Sequence, residues 1–312
     1  GNWSFGDYFK KEAIEWAWSL VTEHWGLEKE RLWSTVFEGD ERDGLDPDDE
    51  AEKLWLEVTD QVQDRVVRLP AKDVFWEMGA TGPCGPSSEL HYYLGDDPSK
   101  QTAAGLRDGD SGFLEIWNLV FIQFNRDDQG QLHGLPAKHV DTGMGFERIC
   151  RILQKAETNY DTDVFLPLIS RIADLTERPY TGDYLVPMRV IADHVRALTF
   201  AIADGALPAN DGAGYVLRRI LRRASRYGRQ LDQHEPFIFK LTSTIADLLG
   251  STYPEIAAKS SHISTVIASE EESFGRTLDR GLDIFDRVSQ KNEISGADAF
   301  RLYDTFGFPL DL

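Results

Sequence analysis

Residues 112–126 read GFLEIWNLVFIQFNR and carry the clearest strand signal in the chain. The run is too long for an ordinary loop, and its aromatic and β-branched residues suit a pleated sheet. The turn sequence DDQG follows at 127–130, and a second strand candidate, AKHV, comes at 137–140. Similar short runs occupy residues 65–70, 74–78 and 90–94. Because turns and not crossover helices join these strands, the first half of the chain is predicted to form an antiparallel sheet.

Polar side chains interrupt the apolar run at 112–126, and they are candidates for a site because such groups are costly to bury without partners. A regular strand alternates its side chains between two faces. On that spacing the residues divide into Glu115, Trp117 and Gln123 on one face and Asn118, Val120 and Phe124 on the other. They cannot all serve one pocket in a regular strand. Either a β-bulge intervenes or only one set is functional, and the sequence leaves both alternatives open.

The segment HVDTGMGFERIC at 139–150 places an Asp before two glycines and an Arg after them. Helical spacing resumes at Phe146, so a helix is predicted to begin there. Gly143 and Gly145 are expected where side chains would obstruct something. Asp141 could hold a cation, and Arg148 in the first helical turn could hold a phosphate. A plain strand–turn–helix connection remains the alternative.

Residues 75–93 combine several glycines and prolines between two strand candidates. This composition favours a rigid loop that lines a site over a simple hairpin connection. Trp76 lies just before the predicted loop and could form one wall of a small pocket, although a tryptophan in a sheet is more often part of the core.

Composition excludes several classes of protein. The 312 residues carry a net charge of −20, which argues against a nonspecific nucleic-acid binder. The acidic segment at 38–52 is predicted to be a solvated loop. Two cysteines and seven scattered histidines give neither a disulfide framework nor zinc-ligand spacing, and no apolar run reaches transmembrane length. We therefore expect a cytoplasmic protein with no zinc in this segment and no membrane association.

The second half of the chain loses its strand signals near residue 160 and is predicted to be helical. We assign residues 1–160 to an α+β domain and residues 161–312 to an all-helical domain. The helix at 215–229 carries six arginines and no acid. Five of them stand at i, i+4 spacing, where like charges repel unless an anion lies nearby: Arg218, Arg222 and Arg226 form one row, and Arg219 and Arg223 form another. That anion is either a nucleic-acid phosphate or the protein's own surplus of acidic side chains.

The chain resembles the alanyl-tRNA synthetases, a family of class II aminoacyl-tRNA synthetases, throughout its length. Six segments in the family's order carry the resemblance: residues 1–18, 75–90, 115–126, 140–149, 214–228 and 302–312. The resemblance implies a class II antiparallel sheet with flanking helices, followed by a helical domain that recognises the tRNA acceptor stem. It further implies ATP-dependent activation of L-alanine to alanyl-adenylate, with Mg²⁺ bound through ATP, and transfer to the 3′ end of tRNA(Ala).

The same resemblance suggests roles for individual residues. It assigns alanine binding to Trp76, Asn118, Val120, Asp141 and Gly143. It assigns ATP binding to Arg148, Gly145 and Glu115, of which Glu115 is also a candidate for Mg²⁺. It assigns contacts with the tRNA acceptor stem to Asn210, Arg218, Arg222, Arg226 and Asp304.

Parts of the family pattern are expected to lie outside these residues. Class II motif 1, most of motif 2, the editing domain and the C-terminal oligomerisation region have no counterpart in the 312 residues. The alternative function is therefore a tRNA-binding relative without catalysis, or a fragment of the ligase that is inactive alone.

Overall fold

A seven-stranded sheet forms the centre of the first half of the chain in the computed structural model, which describes residues 1–289 and 294–306. Its strands are β1 (Trp3–Phe5), β2 (Leu32–Phe37), β3 (Val66–Leu69), β4 (Phe75–Glu77), β5 (Gly82–Tyr93), β6 (Phe113–Arg126) and β7 (Leu132–Met144). They lie in the order β1-β7-β6-β5-β2-β3, with β4 paired to β5. Every pair is antiparallel except β2 with β3. The predicted α+β fold is confirmed, with one parallel pair at the edge of the sheet.

Five helices accompany the sheet within residues 1–159: α1 (Lys10–Ser19), α2 (Asp49–Glu57), α3 (Ala71–Val74), α4 (Ala103–Arg107) and α5 (Phe146–Leu153). The main core of this unit lies between one face of the sheet and α1, α2 and α5. Ile14 and Trp18 of α1 pack there with Trp55 of α2 and with Trp117 and Phe121 of β6. The opposite face of the central strands is consequently available for a site.

The acidic segment at 38–52 is only in part the solvated loop that its charge predicts, because residues 38–47 are irregular and exposed or half-buried whereas 49–52 belong to α2. The Asp48 side chain accepts a hydrogen bond from the backbone N–H of Ala51 at 3.0 Å and so caps the helix. Lys10, which is 3% exposed, places its Nζ atom 2.6 Å from Asp48 Oδ1 and 2.9 Å from Glu50 Oε2. The helix also explains the parallel pair, since α2 forms the crossover between β2 and β3.

The glycine- and proline-rich segment at 75–93 is a hairpin, so the prediction of a long site-lining loop is wrong. Strand β4 ends at Glu77 and β5 begins at Gly82, and the glycines and prolines continue into β5 itself. A register shift between Cys84 and Ser87 accommodates Pro86, which cannot donate to the ladder. At Gly85 a β-carbon would lie 2.1 Å from the carbonyl oxygen of Phe121. Glycine is required there because two backbones approach each other closely.

We predict that Gly85→Ala lowers the free energy of unfolding by about 1–3 kcal/mol, since the added methyl group forces β5 away from β6. Gly134→Ala in β7 is the matched control, because a β-carbon at that position meets no atom within 4 Å. Urea denaturation of both variants provides the measurement. Equal midpoints for the two variants would contradict the close approach at Gly85.

Residues from Tyr160 onward form a second compact unit. Its helices are α6 (Leu166–Thr176), α7 (Leu185–Ala203), α8 (Gly212–Arg229), α9 (Leu241–Leu249), α10 (Pro254–Ser289) and α11 (Gly296–Phe306). Aliphatic side chains from α6 to α10 fill its core. None of the helices in the described residues is long and apolar enough to cross a membrane.

A buried carboxylate joins two parts of the helical unit. Glu271 of α10 accepts hydrogen bonds from the backbone N–H groups of Phe237, Ile238 and Phe239 at 2.9–3.1 Å. These N–H groups begin the turn that leads into α9. Burial raises the pKa of Glu271 to about 6, and the three hydrogen bonds only partly oppose this effect.

The raised pKa of Glu271 predicts a pH dependence of stability. Because the folded state binds this proton more tightly than the unfolded state, the contribution is full at low pH and is lost as the pH rises from about 4.5 through about 6. The change amounts to about 2 kcal/mol for a shift of this size. We expect Glu271→Gln to remove this dependence, whereas Glu272→Gln, at the exposed neighbouring position, leaves it unchanged. Thermal unfolding between pH 4 and pH 7.5 provides the test, and an unchanged profile in Glu271→Gln would refute the prediction.

Candidate functional site

A β-bulge in β6 decides which of its side chains share a face. His91 of β5 pairs with Glu115, and the next residue, Leu90, pairs with Trp117, so Ile116 is an extra residue. A bulge of this kind shifts the alternation of side chains along the strand. Glu115 therefore joins the face of Asn118 and Val120, while Trp117 points into the core against α1. Of the two alternatives that the sequence left open, the structure has the bulge.

Two adjacent rows of paired residues cross the centre of the sheet from β5 through β6 to β7. One row consists of Glu89, Asn118 and Gly143, and the next consists of Ser87, Val120 and Asp141. Paired strands lie about 4.8 Å apart, so neighbouring members of a row are close enough for direct contact. The pairing thus assembles four of the sequence-predicted residues on one face.

Two oxygen acceptors in these rows have no hydrogen-bond donor in the described part of the protein. The Asn118 Nδ2 group donates to Glu89 Oε1 at 3.2 Å, but the Asn118 Oδ1 atom is buried without a partner. The half-buried Asp141 carboxylate likewise has neither a hydrogen bond nor an ion pair there. Buried acceptors are normally satisfied, and an unsatisfied one calls for an explanation. A cationic ligand with several N–H donors would provide it.

The two glycines of the 139–150 segment provide space in different ways. A β-carbon at Gly143 would meet no protein atom within 4 Å, so packing does not require glycine and the space above it is open. A β-carbon at Gly145 would lie 2.9 Å from Cδ of Arg148. Glycine at 145 therefore leaves room for the Arg148 side chain. The sequence predicted that a side chain at either glycine would obstruct a neighbouring group, and at Gly145 that group is the Arg148 side chain.

Arg148 and Glu115 form an ion pair beside the bulge. Helix α5 begins at Phe146, as the sequence predicted, and carries Arg148 in its first turn. The Arg148 Nη1 group donates to both the backbone oxygen and the Oε2 atom of Glu115, each at 2.8 Å. The two side chains are 42% and 35% exposed, so solvent weakens the pair and a ligand can reach both partners.

Trp76 lies near the same region but outside the two rows. It is half-buried on β4 and pairs with Gly85, two residues along β5 from Ser87. Glu89, in contrast, belongs to the first row and was not predicted. A signal for it existed, because Glu89 directly precedes the strand candidate of residues 90–94, and an acid there is as costly to bury as the polar residues of 112–126.

The predicted residues of the helical unit fall into different environments. Arg218 Nε lies 3.0 Å and Arg222 Nε 3.3 Å from Oε1 of Glu270, so the pairing with the protein's own acids that the sequence left open occurs at both positions. Arg226 is buried, at 7% exposure. Asn210 is exposed, and its Oδ1 atom accepts a hydrogen bond from Arg218.

Two further arginines of α8 face solvent, although they were not among the residues that the resemblance assigns to the acceptor stem. Arg219 and Arg223 are both exposed, and Arg219 lies 5.8 Å from the centre of the Tyr215 ring. Asp304 belongs to α11, but its side chain and residues 307–312 lie outside the described part of the chain.

The mixed seven-stranded sheet with flanking helices is consistent with the core of a class II synthetase. The model of the tRNA synthetases class II (A) matches residues 1–312, and the chain belongs to this family. No group of three or more His, Cys, Asp or Glu side chains in the described residues could hold a metal ion.

The similar proteins include enzymes named alanine–tRNA ligase. The chain is 52% identical over 322 residues to that of Chlorobium phaeobacteroides and 50% identical over 330 residues to that of Flavobacterium psychrophilum. It is 49% identical over 330 residues to the mitochondrial alanine–tRNA ligase of Saccharomyces cerevisiae. All of this chain is covered in each case, but it spans only 35%, 37% and 33% of the three relatives.

Proposed function

We propose that the protein containing this chain activates L-alanine with ATP and transfers it to the 3′ end of tRNA(Ala). The observation that carries the proposal is the buried Oδ1 atom of Asn118, which has no donor in the described residues, together with the pairing of Asn118 across the strands with Gly143, where the space above the backbone is open. The half-buried Asp141 carboxylate lies in the next row. Identity of about half to several alanine–tRNA ligases supports the choice of amino acid. We propose residues 1–160 as the catalytic part and 161–312 as the part that binds the acceptor stem.

The acceptor pair suits the ammonium group of an amino acid. An ammonium offers three donors, and a carboxylate together with an amide oxygen can take up two of them. Alanine has only a methyl side chain, and in our proposal Val120 and Trp76 form the walls that limit its size. Any side chain at 143 would occupy the open space, so glycine there is consistent with a substrate lying directly over the strand.

ATP binding is proposed for the region around Arg148. The guanidinium of Arg148 can pair with a phosphate or stack on adenine, and Gly145 leaves it the room to move. Glu115 is proposed to hold Mg²⁺ together with the ATP phosphates. A single carboxylate fits this role, because protein-bound Mg²⁺ commonly has one or two carboxylates and several phosphate or water oxygens. The ion would neutralise charge on the phosphates.

The reaction requires positioning and charge stabilisation more than a protein nucleophile. In alanine activation, a carboxylate oxygen of alanine forms a bond to the α-phosphorus of ATP, and the bond from that phosphorus to pyrophosphate breaks. Asp141 and Asn118 would fix the amino end of the substrate and thereby direct its carboxylate. Arg148 would stabilise the charge that develops on the phosphates.

The runner-up function is a tRNA-binding relative without catalysis. Asp141 and Asn118 Oδ1 favour the ligase, since two acceptors without donors on the sheet face have no use in RNA binding.

We also propose a cytoplasmic location, which cell fractionation would test. The chain has only two cysteines, Cys84 and Cys150, too few for a disulfide framework, and this supports a reducing compartment.

Asp141→Asn in the full-length protein tests the proposal. We expect alanine-dependent exchange of pyrophosphate into ATP to fall by at least about tenfold, because a neutral amide does not replace the carboxylate toward an ammonium. ATP binding should stay within about twofold of the parent. Asp128→Asn, at an exposed turn position, is the control. Exchange at the parent's rate in Asp141→Asn would reject the alanine site, and absence of exchange in the parent would favour the runner-up.

We propose that the helical unit contacts the acceptor stem through α8 and the loop before it. An acidic protein must concentrate its positive charge where RNA lies, and α8 carries such a concentration. Asn210 and Asp304 are proposed to read base edges, and Arg218, Arg222 and Arg226 to support contacts with the RNA backbone. The exposed pair Arg219 and Arg223 is the part of this helix most accessible to phosphates.

Replacing Arg219 and Arg223 together by Gln is expected to weaken binding of any tRNA acceptor stem. Loss of up to two phosphate contacts should lower the slope of log affinity against log salt by about 1–2. The control replaces the exposed Lys240 and Arg276 by Gln and removes the same charge. Filter binding at several salt concentrations provides the measurement. The assignment fails if the two double variants have the same slope.

A further inference from the structure

We infer that Glu89 is a positioning residue that fixes the amide of Asn118 with its oxygen toward the substrate ammonium. The inference rests on the proposed function and extends it to a residue that does not itself touch alanine. Glu89 lies at the centre of the sheet in the same row as Asn118 and Gly143.

The Glu89 carboxylate is buried, at 8% exposure, and is held on both of its oxygens. Its Oε1 atom accepts from Asn118 Nδ2 at 3.2 Å, and its Oε2 atom lies 2.9 Å from Nε2 of His91. The backbone N–H of Glu89 donates to Thr35 Oγ1 at 3.0 Å, and this hydroxyl lies 3.5 Å from Oε2. Thr35 of β2 therefore holds the carboxylate from the side away from Asn118, and His91 holds it from along β5.

A carboxylate can only accept hydrogen bonds, and this property determines the orientation of the neighbouring amide. Asn118 must present its Nδ2 group to Glu89, so its Oδ1 atom points away from β5. Gly143 of β7 pairs with Asn118 on that other side, where the space above the backbone is open. The acceptor without a donor thus lies on the side where the ammonium is proposed to bind.

Glutamine at position 89 would remove this constraint with almost no change in shape. Its amide can donate to Asn118 as well as accept from it, so the Asn118 amide can turn over. The turned amide directs N–H groups at the ammonium, which repel it. Stability should change little in comparison, because each buried group can still find a partner.

The test is the kinetics of ATP–pyrophosphate exchange in the full-length protein. We expect Glu89→Gln to raise the KM for alanine at least about tenfold, the loss expected for one hydrogen bond to a charged group. The KM for ATP should stay within about twofold. Ser88→Ala is the matched control, because Ser88 is also buried on the same strand, and its hydroxyl accepts a hydrogen bond from Trp55 Nε1 on the opposite face. It is expected to lower the melting temperature without changing the KM for alanine.

A double variant separates positioning from a general structural effect. In an Asn118→Ala background, Glu89→Gln should cause no further rise in the KM for alanine, since no amide remains to be oriented. Glu89→Asp keeps an acceptor-only group and should have a KM between those of the parent and Glu89→Gln. If Glu89→Gln fails to fold, Glu89→Asp in the two backgrounds provides the same comparison.

The outcomes distinguish this inference from the proposed function. A rise in KM in both backgrounds by the same factor, or a KM for alanine unchanged by Glu89→Gln, overturns the positioning role. If Asp141→Asn and Asn118→Ala also leave the KM for alanine unchanged, the alanine site itself is wrong. A large effect of these two variants without an effect of Glu89→Gln rejects the role of Glu89 alone.

Discussion

The extra residue Ile116 in β6 is the constraint on which the candidate site depends. Without it, Glu115 would share a face with Trp117 and would lie in the core, away from Asn118. The bulge also anchors the turn before α5, because the backbone N–H of Gly145 donates to the carbonyl oxygen of Ile116 at 3.0 Å. The bulge thereby determines which face of β6 carries Asn118 and Glu115, and it fixes the start of the helix that carries Arg148. In a regular strand, Trp117 could point into the core or Glu115 could share a face with Asn118, but not both.

The polar groups on this face divide by charge along the sheet. Asp141 and Asn118 provide acceptors for a cation, and Arg148 provides donors for an anion near the bulge. The Arg148–Glu115 ion pair holds both side chains in position at low energetic cost, because each is more than one-third exposed. In the proposed complex with a nucleotide and its metal ion, the Arg148–Glu115 ion pair would be replaced by two others: Arg148 with a phosphate and Glu115 with the metal ion. The arrangement suits a substrate that is cationic at one end and anionic at the other.

Sequence reasoning predicted the elements of this fold much better than it predicted their pairing. The strand at 113–126, the turn after it and the start of α5 follow from local composition. The bulge does not, because only contact with β5 reveals that Ile116 is extra. The need for glycine at position 85 could not be predicted for the same reason. It comes from the backbone of Phe121, which is distant in sequence. The prediction for the acidic segment at 38–52 was partly wrong for another reason. High charge suggests exposure to solvent, whereas Asp48 caps α2 and pairs with the buried Lys10.

The arginines of α8 repeat at i, i+4 spacing in two rows, one paired with an acid of the protein and one exposed to solvent. Like charges at i, i+4 destabilise a helix, and Glu270 of α10 offsets that repulsion by lying within 3.3 Å of both Arg218 and Arg222. Arg219 and Arg223 repeat the spacing one residue later and remain exposed. The sequence could not separate the two pairs, because the separating carboxylate comes almost fifty residues later in the chain. A ligand that competes for Arg218 or Arg222 must displace Glu270, whereas a phosphate can approach Arg219 and Arg223 directly. In the proposed contact with RNA, the exposed pair is therefore the part of α8 that a phosphate meets without displacing an acidic side chain of the protein.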